Sequence, residues 1–559
     1  MTYLDKPWLE GYKLGPYKLD HSLEPYPEVP VYKVLDDAAE NYPTQTAILF
    51  LGRKITYREL RQLSDKLATA LIRLGIGKGD NVCVFLSNCP EFIISNWAIM
   101  KAGGTIVPIS ISRTDEGLIH EAGSSRGQII ICHEEHLERV LGVREQCAFQ
   151  HIIVTSTEGY DVKPVNISLP SGVLELRILI DENDAISSPI DINPREDLCE
   201  LVFTGGATGV PKGVMITHYN RYASIMQGCP WMLKPLLRGI AGKASMFLAL
   251  PLFHSYGHWA YLSAASLGLT VILMPNPRDT DTLVKYIKEL RPLLIPTVPT
   301  QLMRIAQAKI GKMNVIPICG AAPLPRETSE AIRKEIGTPV TEGYGLTETS
   351  TVTHLNLSAF SKITGFMSKE KFGMGLPIPD TECKLVDADT GQIVPFGESG
   401  EIVVRGPQIM KGYWPETGSG LTEDGWLYTG DIAYMDKDGY FHMMDRVKDM
   451  VNVSGNKVYT TTVDEILYRH PGVHMAAAIG VPDVNNPGSE RVMAVIQLKH
   501  DFRGSVTAED IQDLCRQHLE PYAVPKFVEF REELPMTVTE KLFKKALRDE
   551  VIQRLKQLS

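Results

Sequence analysis

The densest run of chemistry-bearing residues is Phe203-Thr204-Gly205-Gly206-Ala207-Thr208-Gly209-Val210-Pro211-Lys212-Gly213, directly after the apolar pair Leu201-Val202. Closely spaced glycines let backbone N–H groups converge, and the hydroxyls and lysine add donors and charge, which is what wrapping phosphate oxygens requires. It is not a Walker A loop: proline precedes Lys212 and glycine follows it, against the G-x-x-x-x-G-K-[ST] spacing. The competing reading of this loop alone is a glycine-rich turn. A second group is Thr341-Glu342-Gly343-Tyr344-Gly345-Leu346-Thr347-Glu348-Thr349, preceded by Cys319-Gly320-Ala321-Ala322-Pro323. A tyrosine between glycines can lie flat against a purine ring, and an acidic residue four positions later can hold a Mg2+ that bridges phosphates. A polar loop after a strand is the alternative.

Three further motifs follow in order. They are Trp426-Leu427-Tyr428-Thr429-Gly430-Asp431, then Asp445-Arg446-Val447-Lys448-Asp449 with Gly455 close behind, and Leu534-Pro535-Met536-Thr537-Val538-Thr539-Glu540-Lys541, followed by the basic run Leu542-Phe543-Lys544-Lys545-Ala546-Leu547-Arg548. Singly, an aspartate in a turn or a lysine near a terminus is an ordinary solvated residue. Their order and spacing as a set are what carry meaning.

Elements able to position these groups are legible in the periodicity. Leu60, Leu63, Leu67, Leu71 and Leu74 recur at helical spacing and lead into the buried-strand run Val82-Cys83-Val84-Phe85-Leu86. A helical stretch over 90–101, then Thr105-Ile106-Val107-Pro108-Ile109, Ile129-Ile130-Ile131 and Ile152-Ile153-Val154, continues the alternation. Strand and helix in this order imply right-handed crossovers and a largely parallel sheet covered on both faces. After about Phe372, short strands such as Cys383-Lys384-Leu385-Val386 and Glu401-Ile402-Val403-Val404 between glycine turns predict an antiparallel β subdomain. The last hundred or so residues mix helix (463–469) with strand (492–498). The predicted class is α/β: a large N-terminal domain of parallel-type α/β subdomains plus a small β subdomain, and a mobile α+β C-terminal domain. The predicted boundaries are 1–445, a hinge at 446–449, and 450–559.

At 559 residues, 44% apolar and 22% charged, the composition belongs to a globular protein of more than one unit and excludes disordered, collagen-like and disulfide-scaffold classes. The net charge of −10 argues against nucleic acid as a partner while leaving room for local phosphate sites. The nine cysteines include no C-x-x-C pair and sit mostly among apolar residues, so they read as reduced, buried thiols of a cytoplasmic protein rather than metal ligands. No basic region followed by an apolar run opens the chain, and no unbroken run of about 18 apolar residues predicts a membrane span.

Read together, the five motifs resemble the adenylate-forming superfamily of acyl-CoA synthetases, luciferases and peptide-synthetase adenylation domains, over nearly the whole chain from Tyr57 to Arg548. The segments Tyr26-Pro27-Glu28-Val29-Pro30 and Ile55-Thr56-Tyr57 look most like the fatty acyl-CoA synthetases. The resemblance implies an ATP-dependent, AMP-forming acid–thiol ligase using ATP, Mg2+ and coenzyme A on a small carboxylic acid, and it leaves room for a homodimer. It implies that Thr204, Gly205, Gly206, Thr208, Gly209 and Lys212 hold the β- and γ-phosphates. Gly320, Ala321, Ala322, Glu342 and Gly343 would border the nucleotide, with Tyr344 stacked on adenine. Thr347 would contact the α-phosphate and Glu348 would bind Mg2+. Asp431, assisted by Arg446, would accept the ribose hydroxyls. Lys541 would be the mobile lysine bridging the carboxylate and the α-phosphate, Lys448 the hinge, and Gly455 the loop that admits the pantetheine arm. His254, Tyr256 and Trp259 would gate or line the acyl pocket, and a polar loop residue is the competing reading of His254. No acidic residue between Pro251 and Trp259 greets an amino group, which favours a neutral acyl tail, fatty or carbocyclic or aryl.

The chain departs from the family pattern at Gly205 and Ala207, where hydroxyl residues are usual, at Glu540, where glycine is usual, and at Thr460 and Thr462, in place of proline and glutamate. The first departure predicts weaker hold on pyrophosphate and an enzyme that also runs toward ATP synthesis. Two alternatives remain at this level: an adenylating enzyme that loads a separate carrier protein, and a catalytically silent acyl- or nucleotide-binding homologue.

Overall fold

Thr56 and Glu59 show how local chemistry starts an element here. The Thr56 hydroxyl accepts from the Glu59 N–H at 3.2 Å and the Glu59 carboxylate accepts from the Thr56 N–H at 2.7 Å, a reciprocal cap that satisfies orphan donors. Helix Tyr57–Arg73 follows, burying Tyr57, Leu60, Leu67 and Leu71. The structure, a computed structural model, describes residues 2–558 except 157–164, 166–167, 187–189, 205–209, 359, 361–370, 484–485, 487 and 538–541.

Among the described residues two nine-stranded sheets form the body. In the first, Asn81–Phe85, Thr105–Pro108, Ile129–His133 and His151–Thr155 run parallel and are almost wholly buried. Their near-continuous apolar sequence is what a sheet covered on both faces requires. Helix Pro90–Lys101 is buried at every residue, the mark of a helix with structure all round it. Leu198–Thr204 joins this sheet and turns back antiparallel into Lys212–Thr217, so that Thr204 stands opposite Lys212. The two-residue strand Gly412–Tyr413 then pairs with Lys212–Thr217.

In the second sheet Ser245–Leu248, Thr270–Leu273, Leu294–Thr297, Ile316–Cys319 and Thr341–Tyr344 are parallel, with antiparallel strands at both edges. Ile316–Cys319 and Thr341–Tyr344 lie side by side and run in the same direction, so the glycine motifs at 320 and 345 emerge together at their carboxyl ends, where ligands of open α/β sheets bind.

A four-stranded antiparallel sheet follows: Glu382–Val386, Gly400–Arg405, Leu427–Met435 and Phe441–Arg446. From Val451 onward a separate apolar core gathers Val463, Leu467, Ala476, Ile496 and Ile511. It lies around the sheet Val473–Pro482, Glu490–Leu498 and Phe527–Phe530 and the helices Thr460–Tyr468 and Ala508–Arg516. The architecture is the α/β class read from the sequence, with its antiparallel subdomain and a separate small C-terminal unit.

Candidate active site

Two clusters of the expected residues assemble at the strand ends. In the first, the Tyr344 hydroxyl donates to Asp431 Oδ2 at 2.8 Å, and Arg446 Nε lies 3.1 Å from Asp431 Oδ1. Asp431 and Arg446 are cross-strand neighbours in the antiparallel sheet, while Tyr344 ends a strand of the second sheet. His354, on the strand opposite Tyr344, meets its ring edge-on at 5.5 Å. Burial lowers the His354 imidazole to about 3, so it stays neutral beneath that ring.

The second cluster joins Lys212, next to the 205–209 glycine loop in the sequence, to the 347–349 turn. Tyr413 donates to Glu348 Oε1 at 2.9 Å, and Lys212 Nζ stands 5.1 Å from the centre of the Tyr413 ring. Glu348 lies in the short helical turn Thr347–Thr349. Gly345 must be glycine: a Cβ there would stand 1.8 Å from the Thr351 carbonyl oxygen. One carboxylate with phosphate-directed neighbours suits Mg2+, which is usually held by one or two carboxylates together with substrate phosphates and water. Among the described residues no group of three or more His, Cys, Asp or Glu forms a closed metal cage.

Behind this turn lies a buried polar network. Arg221 donates from Nε and Nη2 to the two Glu200 oxygens, each at 2.6 Å, and from Nη1 to the Ser350 carbonyl at 2.6 Å. All three residues are fully buried. Burial alone would lift the Glu200 carboxyl, but Arg221 and then His258 hold it well below the usual carboxylate range. Ser350 and Thr351 have φ of 47° and 108°, backbone that non-glycine residues seldom adopt and that surrounding contacts must hold. Ser255 Oγ, 2.6 Å from Thr351 Oγ1, adds another tie.

Other expected residues occupy varied places. Gly320 is buried, with its N–H bonded to the Thr297 carbonyl at 3.2 Å, and Ala321 takes φ 73° beside it. Ala322 is partly buried next in the loop. Glu342 and Gly343 lie in the strand that ends at Tyr344. Burial raises the Glu342 carboxyl to about 8 although it accepts from the Gly373 N–H at 3.2 Å. His254 is the N-cap of helix Ser255–Ser266, its Nδ1 accepting from the Tyr256 N–H at 3.3 Å. Tyr256 donates to the Ile318 carbonyl at 2.7 Å and Trp259 to the Ser224 carbonyl at 3.1 Å, both nearly buried. Gly205, Gly206, Thr208, Gly209 and Lys541 lie outside the described residues, as do the departures Ala207 and Glu540.

At the junction of the two units, Asp445, next to last in the strand Phe441–Arg446, reaches the first turn of helix Thr460–Tyr468. It accepts from the Thr460 N–H and, at 3.1 Å, from its hydroxyl. Lys544, at the start of helix Lys544–Leu558, donates to the same hydroxyl at 2.7 Å and pairs with Asp464 at 2.6 Å. The Thr460 departure thus supplies an N–H and a hydroxyl that a proline could not. Burial raises the Asp445 carboxyl to about 6. Lys448 is exposed, and its carbonyl accepts from Arg548 at 3.4 Å. Gly455 tops the hairpin Val451–Val453 with Asn456–Val458. With Ser454 at φ 52° and Gly455 at φ 89° it forms the positive-φ turn that favours glycine, tied to Asn486 and Ser489 rather than to either cluster.

Sequence reasoning does not single out Tyr413, Glu200, Arg221 or Thr351. Tyr413 stands in an unremarkable Lys411-Gly412-Tyr413-Trp414 run, and its pairing with the Lys212 strand is a tertiary event. A charge inside the apolar run Leu198-Cys199-Glu200-Leu201-Val202 is the one signal that could have flagged Glu200, and nothing in the sequence around Arg221 marks it.

Comparison with known proteins matches residues 35–414 to the family described as AMP-binding enzyme and residues 462–541 to the AMP-binding enzyme C-terminal domain. The long-chain-fatty-acid–CoA ligase of Bacillus subtilis (strain 168) is 34% identical, covering 98% of each chain. That of Salmonella typhimurium (strain LT2) is 32% identical, again over 98% of each. The crystal structure of the anthranilate CoA ligase AuaEII in complex with anthranoyl-AMP superposes with a TM-score of 0.82 at 24% identity, over 96% of this chain and 99% of that one. The clusters at Tyr344 and Glu348, the matched length and these full-length likenesses lead to one conclusion: the chain belongs to the AMP-binding enzyme family of adenylate-forming proteins, in its acyl-CoA synthetase branch of ATP-dependent acid–thiol ligases that release AMP and use Mg2+ and CoA.

Proposed function

We propose that the chain activates a fatty acid, or a carbocyclic or aryl acid, with ATP, passes the acyl group to CoA in the cytoplasm, and also runs in the ATP-forming direction. The observation that carries the reading is the convergence of Tyr344–Asp431–Arg446 with Lys212–Tyr413–Glu348. The full-length relative named for long-chain fatty acids favours a fatty acid as the first substrate to test, and nine free, buried cysteines suit a reducing compartment.

A carboxylate cannot be displaced by a thiol because oxide does not leave. The carboxylate instead attacks the α-phosphorus of ATP, pyrophosphate departs, and the thiol later displaces AMP from the acyl adenylate. The first step brings an anion to a polyanion, so positioning and positive charge supply most of the acceleration. In this reading Thr204, Lys212 and the glycine loop between them bind the β- and γ-phosphates. Tyr344 stacks on adenine, Asp431 with Arg446 holds the ribose, Thr347 contacts the α-phosphate, and Glu348 would hold the Mg2+ that neutralises phosphate charge. Lys541 bridges both reacting oxyanions as a compact charge, and rotation of 450–559 about Lys448 withdraws it and brings up the Gly455 loop for CoA.

A panel of fatty, alicyclic and aryl acids scored for CoA-dependent AMP release tests the proposal. Turnover of at least one fatty acid is expected, and silence across the panel removes the reading. For the reverse direction, restoring hydroxyls with Gly205→Ser and Ala207→Thr should lower the pyrophosphate KM several-fold. An unchanged KM would sink the idea of a loosened pyrophosphate site.

A further inference from the structure

We infer that Tyr413 is a positioning residue that ties Glu348 to Lys212, setting the metal-directed carboxylate and the phosphate-directed ammonium in one fixed relation. The inference rests on the functional reading of Glu348 and Lys212 given above. Its basis is geometric. The phenol donates to Glu348 Oε1 at 2.9 Å, which fixes the rotation of that carboxylate and commits one of its oxygens. The same ring lies 5.1 Å from Lys212 Nζ, within the range at which a cation is drawn to an aromatic face. Tyr413 is therefore a single rigid group touching both charges.

The backbone around Tyr413 is held just as firmly. The Trp414 N–H donates to the Gly213 carbonyl at 2.7 Å and the Lys411 N–H to the Met215 carbonyl at 2.9 Å, binding the segment to the Lys212 strand. The Met410 N–H donates to the Glu348 carbonyl at 2.8 Å, binding it to the other motif. Ser419 Oγ accepts from the Tyr413 N–H at 2.9 Å and donates to its carbonyl at 3.0 Å. Gly420 leaves the ring its space, since a Cβ there would stand 2.5 Å from Tyr413 Cε2.

Two variants separate the two contacts. Tyr413→Phe keeps the ring beside Lys212 and deletes the donor to Glu348; Tyr413→Leu deletes both. Losing a hydrogen-bond partner of a metal ligand typically weakens metal binding 10- to 100-fold. Tyr413→Phe should therefore raise the Mg2+ concentration for half-maximal adenylation roughly tenfold, with little change in the affinity for metal-free ATP measured by calorimetry. Tyr413→Leu should in addition weaken metal-free ATP binding about threefold, the scale of an exposed cation–aromatic contact. A readout independent of turnover is calorimetric binding of a non-hydrolysable ATP analogue across a Mg2+ series, in which Tyr413→Phe should shift the midpoint by the same factor. Glu348→Gln serves as the control: it must shift the Mg2+ midpoint, and the double variant Glu348→Gln with Tyr413→Phe should add no further shift. If Glu348→Gln moves the midpoint and neither Tyr413 variant does, or if the two shifts simply add, the positioning role is overturned while the functional reading stands. If Glu348→Gln itself leaves the midpoint unmoved, the functional reading of Glu348 fails.

Discussion

Glu342 shows what burial does to one side chain and how to measure it. Its carboxyl rises from the ordinary 4.5 to about 8 because the strand carrying it is withdrawn from water. Between about pH 4.5 and pH 8 the folded chain therefore keeps a proton that the unfolded chain has lost. Stability contributed by this group declines as pH rises through that window and is flat above it. Glu342→Gln removes the decline. Urea unfolding at pH 5 and pH 9 should show wild type losing on the order of 4 kcal/mol more than the variant over that span. Equal losses would mean that the carboxyl is solvated.

At the scale of elements, Asp445 joins two parts of the chain through a helix start. Helix Thr460–Tyr468 begins with no side-chain cap from its own N-cap residue Tyr459, and the buried Asp445 accepts from the Thr460 N–H instead. Asp445→Ala would leave that N–H and the Thr460 hydroxyl short of an acceptor, a loss of about 1–3 kcal/mol. Asp445→Asn keeps one acceptor oxygen and should cost less. Thermal unfolding that ranks wild type, Asn and Ala in descending order supports the capping role, and identical melting temperatures exclude it. The helix itself was legible in the sequence, as were Pro90–Lys101 and, from its apolar spacing, Tyr57–Arg73. Its cap was not, because the acceptor comes from a strand on the far side of the 446–449 segment.

For the whole molecule, the proposed division into 1–445 and 450–559 makes Lys541 a visitor to a site built by the larger part. Lys541→Ala should slow adenylation by about 10²-fold or more, the scale of lost transition-state charge stabilisation. Thioester formation from presented acyl adenylate should stay near wild type. Equal loss in both half-reactions, measured by pyrophosphate exchange and by CoA consumption, would argue against rotation. Lys544, at the start of helix Lys544–Leu558, pairs with Asp464 and donates to Thr460, at the same junction that Asp445 holds.

The five motifs, their order and the alternation of strand and helix came from the sequence alone, because each is a local pattern: closely spaced glycines among hydroxyls and a lysine, apolar residues at periods of two or 3.6, charged residues in short runs. Which distant residues serve them was decided only by tertiary structure. Tyr413 reaches Lys212 through a two-residue strand added to a sheet edge, too short to leave a periodic signature. Arg221 and Glu200 brace the 350–351 backbone from inside the core, where a salt bridge between separate segments leaves no spacing to read. Tyr344 meets Asp431 because two different sheets converge, a relation that follows from how the layers pack.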